Sequence, residues 1–181
     1  MSSSSSSCLC VTAELTMRAQ PKRDYQSNDV VMTPASLAAA LLHALEPRGH
    51  LLDPCAGTGV FVRALRGYGL VDACDTEQGG FSFWSAHVDW IVTNPPWSQF
   101  RTILEHALEI ADHVALLATV NHWWTHRRVE LVRLRGFGYE RLLLVDPWPK
   151  AFPASGFQLG MMLVSRGYSG ALTIETITGD W

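Results

Sequence analysis

Apolar positions along the chain change period several times, and each change marks an element. Leu37, Leu41, Leu42 and Leu45 recur at helical spacing, with Thr33 as cap and Pro34 at the first helical position, which predicts a helix over 34–46 closed by Pro47 and Gly49. The short run His50-Leu51-Leu52-Asp53 enters Pro54-Cys55-Ala56-Gly57-Thr58-Gly59, and Val60 to Arg66 then reads as a helix stopped by Gly67 and Gly69. Strand, glycine loop and helix open an α/β sheet. Leu70 to Asp75 predicts a second strand, and the run His87 to Thr93 a buried one that ends at Asn94-Pro95-Pro96-Trp97. Phe100, Ile103, Leu104, Ala107, Leu108 and Ala111 keep to one helical face, His113 to Val120 follows as a strand, and Thr125 to Leu134 as a helix. Glu140 to Val145 and Leu159 to Ser165, joined by a Pro-rich loop, predict a terminal antiparallel hairpin. Little chain remains between Asp75 and Trp90, so the third strand must be shortened around Gly80 to Trp84. Right-handed crossovers put the glycine loop and the Asn94 turn at the carboxyl ends of neighbouring parallel strands, facing one crevice.

Composition changes this picture little. A chain of 181 residues, 48% hydrophobic and 17% charged, suits one compact domain over 29–181 behind a flexible Ser-rich arm over 1–28. Its longest apolar stretches fall short of the roughly 20 residues that span a bilayer. The start lacks the basic and apolar segments of a secretory leader, and four cysteines do not form a disulfide framework, so a cytoplasmic protein with reduced thiols is expected. Cys8 and Cys10 have no second close pair to complete a tetrahedral site, and no metal is expected.

A net charge of −3 excludes a protein that coats nucleic acid through charge alone. Distribution matters more than the sum. Arg127, Arg128, Arg133, Arg135 and Arg141 follow Trp123-Trp124 closely and make a basic, aromatic segment, although a solvated helix face reads the same way.

The glycine loop discriminates between ligands. A phosphate loop needs Lys and Ser or Thr after its last glycine, where Val60 and Phe61 stand, and a dinucleotide fingerprint needs a third glycine where Val62 stands. What remains is a close-approach loop with the acid Asp53 on its leading edge and no cationic side chain nearby, which suits a positively charged ligand. Asp75, at the end of the second strand, is placed to accept hydrogen bonds from ribose hydroxyls, and a strand-end turn residue would look alike. The Asn94-Pro95-Pro96-Trp97 turn combines an amide, a rigid backbone and an aromatic face, as a site for a flat, nitrogen-bearing group requires.

Asp53-Pro-Cys-Ala-Gly-Thr-Gly59 and Asn94-Pro-Pro-Trp97, in that order, resemble the motif pair of class I S-adenosylmethionine-dependent methyltransferases, in particular small adenine-specific DNA methyltransferases. Val31-Met-Thr33-Pro34 resembles the element that precedes the cofactor strand in that family. The resemblance covers about residues 29–165 and implies a Rossmann-like, mostly parallel seven-stranded sheet. It implies that Thr33, Asp53, Pro54, Gly57, Gly59 and Asp75 bind S-adenosylmethionine, and that Asn94, Pro95, Pro96 and Trp97 hold a flipped adenine whose exocyclic amine is methylated. The family's usual third-strand acid has no counterpart in Phe81-Ser82-Phe83-Trp84, so Phe83 or a backbone amide is the expected contact to the cofactor's adenine.

An added target-recognition domain is absent from this reading, which leaves Trp123, Trp124, Arg127, Arg128 and Lys150 as candidate nucleic-acid contacts and predicts short or weak sequence specificity. A partner protein or a homodimer would be the source of any longer specificity. Methylation of an exocyclic base amine in RNA is the alternative reaction, and a non-catalytic nucleic-acid-binding subunit the alternative from another class. Trp90 is expected in the core.

Overall fold

The computed structural model describes residues 31–75 and 80–181. The Ser-rich arm expected over 1–28, with Cys8 and Cys10, lies outside the described residues. The stripe Leu37, Leu41, Leu42 and Leu45 becomes the buried face of α1 (Ala35–Leu45). Its register starts one residue later than the sequence implies. Pro34 takes an extended ψ of 139° and stands at the cap position, so Thr33 makes no cap, and the Pro34 carbonyl accepts from Ala38 N–H at 3.0 Å. Glu46 ends the helix in the left-handed region, φ 48°, with its N–H donated to Leu42 O, and Pro47 prevents continuation.

Seven strands follow: β1 (Gly49–Asp53), β2 (Gly69–Ala73), β3 (Val88–Thr93), β4 (Ala111–Thr119), β5 (Phe137–Asp146), β6 (Leu159–Arg166) and β7 (Thr173–Thr178). They form one sheet in the order β2-β1-β3-β4-β6-β5-β7. β1 pairs in parallel with β2 and β3, β3 with β4, and β5 with β7, while β6 runs antiparallel between β4 and β5. The helices α2 (Val60–Leu65), α3 (Phe100–Ile110) and α4 (His126–Leu134) complete the α/β architecture.

Alternation along the strands sorts the core into two layers. Ile91, Leu116 and Met162 face α3 and α4 with Phe100, Leu104 and Val132, whereas Val92, Leu117 and Met161 face α1 and α2 with Leu41, Phe61 and Leu65. Near-continuous apolar runs in β3, β4 and β6 follow from burial on both faces.

Two expectations about the sheet change in detail. The seventh strand is β7, beyond the β5–β6 hairpin, so that hairpin is not terminal. Among the described residues no strand stands between β2 and β3, where Phe81–Phe83 forms a 3-10 turn instead. β7 is an exposed edge strand whose Thr-Ile-Glu-Thr-Ile-Thr pattern buries little, and Arg141 fastens it: Nη2 meets both Glu175 carboxylate oxygens, at 2.9 and 3.1 Å, while Nη1 donates to Ala44 O at the end of α1. Trp90, expected in the core, is half-buried and stacks on His113 at 4.5 Å. No helix among the described residues is long and apolar enough to cross a membrane.

Candidate active site

Parallel pairing of β1 with β3 aligns Leu51 with Trp90 and Leu52 with Ile91, so the two strands deliver Asp53 and Asn94 to the same end of the sheet. After Asp53 the chain must turn sharply to enter α2. Gly57 (φ 47°) and Gly59 (φ 75°) supply left-handed backbone that a side chain would oppose. The loop is tied down by its backbone: Gly59 N–H donates to Ala56 O at 2.6 Å, Ala56 N–H to Cys74 O at 3.1 Å, and Cys74 N–H to Asp53 O at 3.1 Å. A half-open cleft lies beside it, lined among others by Val31, Thr33, Asp53, Gly57, Thr58 and Asn94.

Four sequence-predicted residues, Thr33, Asp53, Gly57 and Asn94, therefore share one cleft. Gly59 sits behind it as the cap of α2, and Pro54 is buried under the loop, where Cys74 Sγ meets its carbonyl at 3.9 Å. Asp75 follows the end of β2 and does not line the cleft, although it is near enough to act electrostatically on Asp53. The side chain of Phe83 lies outside the described structure. Cys55, Ala56, Val60 and Phe61 also line the cleft. Sequence reasoning passed over them because loop filler and buried helix residues carry no chemical signal.

Asp53 is only 1% exposed, and burial pushes its carboxyl up to about 7. Thr93 and the Cys55 amide, which reaches a carboxylate oxygen at 3.3 Å, oppose the rise, and Asp75 adds to it. Thr93 Oγ1 meets no partner at full hydrogen-bond geometry, yet lies close enough to pull the carboxyl down. Burial also raises Cys55 to about 12 and Cys74 to about 11, so at neutral pH both stay thiols and neither is a nucleophile.

The shift on Asp53 fixes a sign. A carboxyl that titrates near 7 when folded and near 3.8 when unfolded binds more protons in the folded state between those values, so it lowers stability as pH rises from about 4 to about 7 and changes nothing further above. A cationic ligand that requires the carboxylate should then bind about tenfold more tightly per pH unit up to about pH 7, with uptake levelling beyond it and a proton released on binding below it. Calorimetry in buffers of different ionisation enthalpy measures both. Affinity independent of pH across this range would remove Asp53 from contact with the charge.

Of the Asn94 turn, Asn94 itself lines the cleft, and Pro95, Pro96 and Trp97 do not. Asn94 Nδ2 donates to Val31 O at 3.2 Å, and Oδ1 is buried with no hydrogen-bond partner. A buried amide oxygen left unpaired costs about 1–3 kcal/mol, which a donor arriving in the cleft would offset. Pro95 is buried, Pro96 accepts from Gln99 N–H at 2.9 Å, and Trp97 begins the 3-10 turn that leads into α3. Trp97 is half-buried, with ring centroids of His122 and Phe152 at 5.6 and 6.3 Å. His122, which nothing in the sequence singled out, packs beside the Trp97 ring; it follows β4, and its Nδ1 lies 2.9 Å from Thr119 Oγ1.

The basic, aromatic segment divides. Trp123 is fully buried, packed edge-on to Phe100 at 5.1 Å and to Tyr139 at 6.1 Å, so it is a core residue and not a nucleic-acid contact. Trp124 is 47% exposed, and Arg127 and Lys150 are exposed. Arg128 turns inward, donating from Nη1 to His122 O at 2.7 Å with its guanidinium over Phe100. Arg135 pairs with Glu109, and Arg141 serves β7 as described, which removes both from the patch. The glycine loop, expected to have no cation nearby, has one: Arg63 Nη1 donates to Thr58 O at 2.7 Å, from an exposed position outside the cleft lining. Among the described residues no three His, Cys, Asp or Glu side chains gather as a metal site.

The sequence matches no protein-family model and no curated protein. The fold is that of class I methyltransferases. A candidate class I S-adenosylmethionine-dependent methyltransferase from Listeria monocytogenes superposes with a TM-score of 0.59 at 13% identity, over 81% of this chain and 65% of that one. A candidate RNA methyltransferase from Pyrococcus horikoshii gives 0.51 at 20% identity, over 75% and 87%. The EcoKI M protein of a type I restriction enzyme gives 0.55 at 15% identity, over 79% of this chain and 45% of its own, so this chain spans about half the length of that protein.

Proposed function

We propose that this chain transfers a methyl group from S-adenosylmethionine to the exocyclic amine of adenine in DNA. The observation that carries the reading is Asn94 Oδ1, a buried acceptor without a partner on a residue that lines the same cleft as the buried acid Asp53. Among the described residues no Lys or Arg lines that cleft. Its chemistry thus fits a ligand with its own positive charge: Asp53 would hold the ammonium or sulfonium end, Gly57 and Thr58 would flank it, and Thr33 would close the edge. Asp75 would hold the ribose. When bound, the cofactor supplies an electrophilic methyl group.

The chain's own part is to prepare the nitrogen. An amine conjugated to a purine ring is a poor nucleophile because its lone pair is delocalised. Asn94 Oδ1 and the Pro95 carbonyl would accept its two hydrogens, favour a pyramidal nitrogen and aim the lone pair at the methyl group. Trp97 would offer a stacking face to a base taken out of a duplex, and Trp124, Arg127 and Lys150 would contact the strand around it. The likeness to the EcoKI M protein supports a DNA substrate and a partner that supplies specificity; the likeness to the candidate RNA methyltransferase, which this chain covers more fully, favours RNA as the second reading.

Incubation with labelled cofactor and separate DNA, RNA and protein pools, followed by digestion to nucleosides, tests this. Label is expected in N6-methyldeoxyadenosine; label in a ribonucleoside transfers the assignment to RNA, and label in none of the pools removes the proposed activity.

A further inference from the structure

The Asn94 side chain makes one described hydrogen bond, and it goes to the chain's own N-terminal segment. Nδ2 donates to Val31 O at 3.2 Å, while Oδ1 is left buried and unpartnered. A backbone carbonyl can only accept, so it selects the nitrogen of the amide and thereby decides which end is left for another molecule. The same segment, Val31, Met32 and Thr33, walls the cleft that also contains Asp53 and Gly57. Thr33 is anchored, 7% exposed, at the foot of α1, whereas Met32 is 46% exposed, so the bond from Asn94 is the described polar tie that holds Val31 in place.

We propose that the strap Val31–Thr33 is a positioning element for the reaction: the Val31 carbonyl sets the Asn94 amide with its oxygen free, so that closure of the cofactor cleft and readiness of the amine acceptor are one event. This rests on the reading of Asn94 as the amine acceptor. It also gives a reason for an amide at this position. A carboxylate would keep an acceptor for the amine but would confront the Val31 carbonyl with a second acceptor, and the strap would be released.

Asn94→Asp and Met32→Gly in the full chain separate the two functions of the turn. In Asn94→Asp, hydrogen exchange at the Met32 and Thr33 amides is expected to accelerate about tenfold or more, and affinity for S-adenosylhomocysteine to fall about tenfold, the scale of one hydrogen bond, with a lower melting temperature and the secondary structure retained by circular dichroism. Met32→Gly leaves Asn94 intact and loosens the strap backbone; it should show the same faster exchange and a kcat about tenfold lower, with KM for the methyl acceptor unchanged. Unaltered exchange in Asn94→Asp overturns the latch, and full turnover in Met32→Gly despite faster exchange overturns its role in positioning. Because exchange requires no turnover, a chain that methylated nothing would remove the assigned reaction while the latch was still decided by the exchange data.

Discussion

Asn94→Ala should lower kcat for methyl transfer by about 10²–10³-fold, the usual effect of removing one preorganised polar group from a reacting centre. The substitution deletes a buried, unpartnered side-chain acceptor on a residue that lines the cleft, and with it the group proposed to hold one amine hydrogen. Stability should change little or rise slightly, since the alanine chain no longer buries an unpaired amide oxygen, although it loses the bond to Val31. Single-turnover rates with labelled cofactor, alongside thermal melting, separate the two effects. A variant that retained full rate would sink the amine-clamp mechanism, whatever the substrate proved to be.

Trp123→Ala should cost about 3–5 kcal/mol of stability, since it empties a fully buried site between Phe100 and Tyr139 that the surrounding helices cannot collapse to fill. For a chain of this size that corresponds to a fall in Tm of roughly 10 °C. Trp124→Ala, one residue on, loses only a half-exposed ring contact with Tyr139 at 4.9 Å, so it should cost no more than about 1.5 kcal/mol and instead weaken binding to single-stranded DNA. Denaturant titration and a binding isotherm on both variants form a crossed design. If Trp124→Ala were the destabilising one, the assignment of the two rings to core and surface would be reversed.

The same two tryptophans show where sequence reasoning ran out. Adjacent aromatic residues after a buried strand carry identical composition signals, and which ring turns inward depends on the 3-10 turn Val120–His122, which is bonded to Gln158 far along the chain and to Arg128 in the following helix. The sheet's main elements were legible because buried parallel strands and one-faced helices have strong periods, as Leu37 to Leu45 and Phe100 to Leu108 illustrate. β7 was not, because its residues are mostly exposed and it is secured by Arg141 rather than by an apolar face. Asp53, Gly57 and Asn94 were legible as a set since acids, glycines and amides at strand ends have few other uses there. His122 and the Val31 carbonyl were not, one being an ordinary turn residue and the other a backbone atom, which no side-chain motif can announce.

The strand order has a consequence for biosynthesis. β6 is the sixth strand made but lies between the fourth and the fifth, paired to both. Until Leu159–Arg166 has left the ribosome, β4 and β5 each present an open hydrogen-bonding edge, and the apolar faces of the sheet's two halves cannot join. A nascent chain paused within the preceding Pro-rich loop is therefore at its most adhesive, and demand for a chaperone should peak there and vanish within the length of one strand.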